Sequence, residues 1–152
     1  MIQYTTQQIE ESLEQHRLYL ARQDEANKHD HRDSEALRDF PEGEQAAFNG
    51  VSLDGFDFSH RDLRGVDFRY ASLRGCNFQY TNLFGSNIHS ANLLKADFRY
   101  AVLDQANMWG CNARRADFRY AEMHGADLVN ACVDKANFEF ANLGHNGRQD
   151  LG

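Results

Sequence analysis

The 152 residues include one proline, three cysteines and one tryptophan. Cys76, Cys111 and Cys132 stand at wide, unrelated spacings, which build neither a disulfide framework nor a zinc knuckle. A reducing cytoplasm is the expected setting. No run of about eighteen apolar residues occurs, so no membrane-spanning helix is expected. The opening "MIQYTTQQIEESLEQHRLYL" lacks a basic start followed by an apolar stretch, and so does not read as a secretory signal. Nucleophile elbow, phosphate loop, HExxH and paired-cysteine motifs are all missing. These absences lead us to expect no catalytic residues and no cofactor.

Charge is unevenly spread. Residues 1–45 hold five Lys/Arg against eleven Asp/Glu, residues 46–145 hold ten against eleven, and the tail 146–152 is neutral. The net −7 therefore sits mainly in the front segment, and the chain divides into 1–45, 46–145 and 146–152. Direct nucleic-acid binding is not expected from so acidic a chain.

The body is written in fives. "ADFRYA" at 96–101 returns at 116–121, and residues 46–145 fall into twenty unbroken five-residue blocks. The third place of every block is apolar, with eight Leu and seven Phe. The first place is Ala in twelve blocks and Cys, Ser or Thr in four; the second is Asp or Asn in fourteen. A period of five suits neither a helix nor a simple strand. It suits a chain that turns a corner every five residues, with four corners to a coil, so that each residue lies over the one twenty positions on. Large third-place side chains then fill the centre, and small first-place ones occupy the crowded corners. Asp and Asn beside each corner bond the turn backbone, and the seven blocks ending in Gly meet a need for positive φ.

Sorting the blocks by four tests this independently. One column of third places reads Phe58, Phe78, Phe98, Phe118, Phe138, and its neighbour reads Leu63, Leu83, Leu103, Met123, Leu143. Outside the Phe column, the fifth places are His60, Tyr80, Tyr100, Tyr120 and Phe140, with Arg99 and Arg119 beside them. This external aromatic ladder is expected to stabilise the sheet by stacking, and it is also the candidate interaction surface, because Tyr and Arg concentrate binding energy. His60, His89, His124 and His145 lie on three different faces and do not converge on one site. The Leu53 column presents a net-positive outer face, with Arg74, Lys95, Arg114, Arg115 and Lys135 against Asp54 and Asp134. It reads as a solvated face.

These blocks resemble the pentapeptide-repeat family, whose pattern is A-(D/N)-L-x-x. The resemblance implies an all-β fold, a right-handed quadrilateral parallel β-helix of about five coils, here with a short N-terminal α-helical segment. It also implies a non-catalytic protein–protein interaction scaffold of bacterial or mobile-element origin. Some members of the family mimic DNA and bind DNA gyrase, protecting it from quinolones; the near-neutral repeat body and its unbroken blocks depart from that pattern. Small phage-encoded members suggest a structural or assembly component instead.

A stacked coil needs capping at both ends. Residues 6–22 place Ile9, Leu13, Leu20 and the aliphatic part of Arg17 on one helical stripe, with Thr5 and Gln8 spaced as a capping box. Phe56 and Arg61 break the small-residue rule in the first coil, so that coil is expected to meet this helix. Residues 23–45 read as a charged linker with a helical turn near 36–40. Its His29 and His31 invite a metal reading, but a solvated charge run is expected. At the other end, Leu128, Val133, Phe138 and Leu143 are expected to form a bare apolar surface, suited to a homodimer or a partner protein.

Overall fold

The computed structural model describes residues 2–28 and 43–144. Its body is a parallel β-helix. Bridges join Asp57 to Asn77, Asn77 to Asp97, Asp97 to Asp117 and Asp117 to Asn137, and the same step of twenty recurs from Ala47 to Asn142. Each coil is sewn to the next by backbone bonds: Phe98 N–H donates to the Asp117 carbonyl at 2.7 Å, and Asp117 N–H donates to the Ala96 carbonyl at 3.0 Å.

The fifth place decides how the chain turns. Every fifth-place residue from Gly50 to Phe140 has φ between 56° and 74°. Most corners close with a bond from the next block's first N–H to the third-place carbonyl, as from Ala101 to Phe98 at 3.0 Å. Glycine adopts this left-handed backbone at no steric cost, yet His60, Tyr100, Lys95 and other non-glycine residues adopt it too. The second place supports the corner. The Asp117 carboxylate accepts from Arg119 N–H at 3.1 Å and Asn107 from Trp109 N–H at 3.1 Å, and this side-chain turn recurs along the body.

Third-place side chains from Phe48 to Met123 are at most 2 % exposed. The Phe column stacks ring on ring, with centroids 4.9, 4.7, 5.0 and 4.8 Å apart from Phe58 to Phe138. Two first-place polar groups fold back onto the coil. Thr81 Oγ1 donates to the Phe58 carbonyl at 2.7 Å and Cys76 Sγ to the Leu53 carbonyl at 3.0 Å.

The N-terminal end is closed by two elements. Strand β1 (Ile2–Gln3) pairs in parallel with β2 (Val51–Ser52), and helix α1 (Thr6–Lys28) follows. The expected capping box is present: Thr5 Oγ1 accepts from Gln8 N–H at 3.2 Å, and Gln8 Oε1 accepts from Thr5 N–H at 2.9 Å. Ile9, Leu13 and Leu20 are buried. Arg61 grips Glu10 through both carboxylate oxygens at 2.8 and 3.0 Å, so the large first-place group does meet the helix.

Three details depart from the sequence reading. Helix α1 runs six residues past the expected end at 22, and Arg64 binds Asp24 there at 2.7 and 2.9 Å. Arg17 does not cover the apolar stripe but turns outward to Glu14 at 2.7 Å, because a charge-assisted pair is available one turn away. The stripe is completed by His16, fully buried, whose Nδ1 accepts from Ala46 N–H at 3.1 Å. Gly43 passes so close to α1 that a Cβ there would collide with the Gln15 carbonyl and the Tyr19 backbone nitrogen. The expected helical turn near 36–40, and His29 and His31, lie outside the described residues.

Candidate interaction surface

The repeated five-residue spelling places one outward ring per coil at the same corner. His60–Tyr80, Tyr80–Tyr100, Tyr100–Tyr120 and Tyr120–Phe140 are stacked with centroids 4.9, 4.9, 4.9 and 5.0 Å apart. Their faces cover one another, so what the ladder offers to a partner is a strip of ring edges. Tyr80, Tyr100, Tyr120 and Phe140 remain exposed despite the stacking. Stacking also offsets the strain of holding these bulky residues in left-handed backbone.

Arg99 and Arg119 lie beside the ladder but bring little free charge. Each is forked onto the carboxylate two residues earlier, Asp97 or Asp117, at 2.7 Å. The Arg119 guanidinium holds the Asp117 carboxyl below its usual range, so the pair stays ionised and locally neutral at physiological pH. The flat strip between the Lys95–Arg115 corner and the ladder is therefore nearly charge-balanced.

A second ring row was not foreseen. Trp109 stacks on His89 at 4.9 Å, and Tyr70 meets His89 edge-on at 5.4 Å. Its signal was present in the fourth and fifth places of the Phe48 column, but the mixed residue types hid it. His60, His89 and His124 stand in three different columns, and among the described residues no group of three or more metal-ligating side chains gathers. Cys76 and Cys111 are buried, and burial pushes each thiol up to about 12; Cys132 is exposed.

The last coil differs from those before it. Leu128, Val133, Phe138 and Leu143 are only partly buried, whereas the preceding third places are covered. At the opposite end, Phe56 is half-covered, its ring 4.6 Å from Phe58 and overlain by the Arg61 guanidinium.

A coil of stacked ladders closed at one end by a helix defines a solenoid that presents its outer faces to the surroundings. The chain belongs to the pentapeptide-repeat family: the family model "Pentapeptide repeats (8 copies)" matches residues 44–79, 62–99 and 96–133. The β-helix is accordingly right-handed. Among solved structures, a pentapeptide repeat protein from the thylakoid lumen of Arabidopsis thaliana is 30% identical, with a TM-score of 0.60, over 62% of this chain and 66% of that one. The protein alr5209 of Nostoc PCC 7120 is 28% identical, with a TM-score of 0.55, over 66% of this chain and 86% of that one. QnrB1, a plasmid-mediated fluoroquinolone resistance protein, is 23% identical, with a TM-score of 0.42, over 66% of this chain and 67% of that one. This chain thus covers just under two thirds of the Arabidopsis protein. No curated protein matches it. Among the described residues, no helix is long and apolar enough to cross a membrane.

Proposed function

We propose that this protein is a non-catalytic scaffold: a rigid four-sided rod of about five coils that presents flat faces to another protein, in the cytoplasm. The observation that carries this reading is the exposed ring ladder from His60 to Phe140, backed by a close-packed Phe column. Such a surface is already ordered before a partner arrives, so binding costs little conformational entropy. Affinity capture from a bacterial lysate tests it, with wild type beside a Tyr100→Ser, Tyr120→Ser variant. Specific retention of a protein by wild type, lost in the variant, is expected; equal retention by both contradicts the use of this ladder.

A second reading concerns the far end. The half-covered Leu128, Val133, Phe138 and Leu143 favour a homodimer, or a stacking contact in a larger assembly, through the last coil. Solution mass before and after Phe138→Lys, Leu143→Lys decides it: dimer to monomer is expected, and an unchanged monomer refutes it. The DNA-mimic reading, with gyrase as partner, has the charge pattern against it, since the body is nearly neutral and one of its faces is basic. We expect no inhibition of gyrase supercoiling by the purified protein; inhibition would restore that reading.

A further inference from the structure

The corner that borders the ladder face on its other side carries Lys95, Arg115 and Lys135, one per coil. All three hold left-handed backbone, with φ of 62°, 58° and 60°. The same corner in the two earlier coils uses Gly55 and Gly75, which meet that conformation without strain. Like charges stacked one coil apart also repel. All three side chains are exposed and form no ion pair among the described residues, although neighbouring Arg114 is paired with Asp134 at 2.9 Å and Arg99 with Asp97 at 2.7 Å. Ser90 and Gln105 hold the same backbone at other corners, so the conformation itself is ordinary to the coil. What sets this corner apart is three exposed cations, without an ion pair among the described residues, stacked one coil apart despite their mutual repulsion.

The rest of the face says what the row is for. Lys95 and Tyr100 border one side of a coil, and Arg115 and Tyr120 border the same side of the next. Three extended residues between two corners separate the cation row from the ring row by roughly 10 Å, about the width of an α-helix. Successive cations stand about 4.8 Å apart, close to the ~5–6 Å between side chains at i and i+4 on a helix. We propose that this face cradles an acidic amphipathic helix of a partner protein, lying along the rod. Its carboxylates meet Lys95, Arg115 and Lys135, and its apolar stripe meets the edges of Tyr80, Tyr100 and Tyr120. A nucleic-acid duplex fits less well: its charged backbone offers no apolar stripe to meet the exposed ring edges of Tyr80, Tyr100 and Tyr120. The inference rests on the scaffold reading above and names the chemistry of the partner.

The test is fluorescence anisotropy at low salt with a labelled helical peptide carrying Glu at i, i+4 spacing on one side and Leu on the adjoining side. It compares wild type, a Lys95→Gly, Arg115→Gly, Lys135→Gly variant and a Tyr100→Ser, Tyr120→Ser variant. The glycine variant should melt at or above the wild-type temperature yet bind the peptide at least tenfold more weakly, with the tyrosine variant weakened too. No binding by wild type, undiminished binding by the glycine variant, or tighter binding of a 20-base-pair DNA duplex overturns the inference. Loss in the tyrosine variant alone also overturns the cation row, while leaving the aromatic scaffold reading standing. Loss in the glycine variant alone upholds the acidic partner and refutes the ladder's share, so the two failures are distinct.

Discussion

Phe98→Ala is the most informative perturbation of the core. The ring is fully buried and lies 4.7 Å from Phe78 and 5.0 Å from Phe118, nearly parallel to both. The backbone behind the neighbouring rings is held by its own ladder bonds, which limits collapse into the space. The cost is therefore expected near the upper part of the range for buried Phe→Ala, about 4 kcal/mol. Phe138→Ala is the internal control: it stacks on Phe118 alone and is partly exposed, so about 2 kcal/mol or less is expected. With a urea slope of about 2 kcal/mol/M, the difference moves the midpoint by about 1 M. Far-UV circular dichroism and Trp109 fluorescence in urea report it, and Trp109 lies in the same stretch of coil. Equal costs for the two variants, or less than about 1 kcal/mol for Phe98→Ala, would refute the stacked interior.

Other consequences can be measured independently. Thr5→Ala removes one half of the capping box and should cost about 1 kcal/mol, seen as earlier loss of helical signal on heating. Burial lowers the His16 pKa from 6.5, against the opposing pull of Asp62, so the folded state favours the neutral ring. The unfolded chain takes up a proton first, and the stability present above about pH 6.5 declines as pH falls toward the lowered value. A His16→Gln variant should lose that slope between pH 7 and 5 in thermal melts, and an unchanged slope contradicts the assignment. Cys132 should react with a thiol reagent in the native protein at neutral pH, while Cys76 and Cys111, both pushed up to about 12, should react only on unfolding; rapid labelling of three thiols would argue against the packing.

The body was legible because each coil repeats the same physical problem. An apolar third place, a small first place and an Asp or Asn second place each answer one requirement of the corner, and Phe58, Phe78, Phe98, Phe118 and Phe138 show the step of twenty directly. The front segment was less legible because it solves its problem once. The capping box at Thr5 and Gln8 followed from spacing, but β1 is too short to carry a pattern. The continuation of α1 beyond 22 agrees with the strong helix formers of 21–28, which were passed over as part of a charged run; the contact it makes there, Arg64 with Asp24, has no local signature. His16 looked polar in sequence and is buried because Ala46 N–H needs an acceptor there. Which cations of the basic face stay unpaired was not legible in the sequence either: Arg114 meets Asp134, whereas Lys95, Arg115 and Lys135 stand exposed at one corner.

The register of the coils is the claim on which the rest depends, and spin-label distances test it most directly. With the three native cysteines replaced, labels at positions 79 and 139 sit in the same column three coils apart, about 14 Å between backbones. A four-sided coil would put labels at 89 and 139 on opposite faces although fewer residues separate them. A shorter distance for 79–139 than for 89–139 is predicted; the reverse order would contradict the twenty-residue stacking.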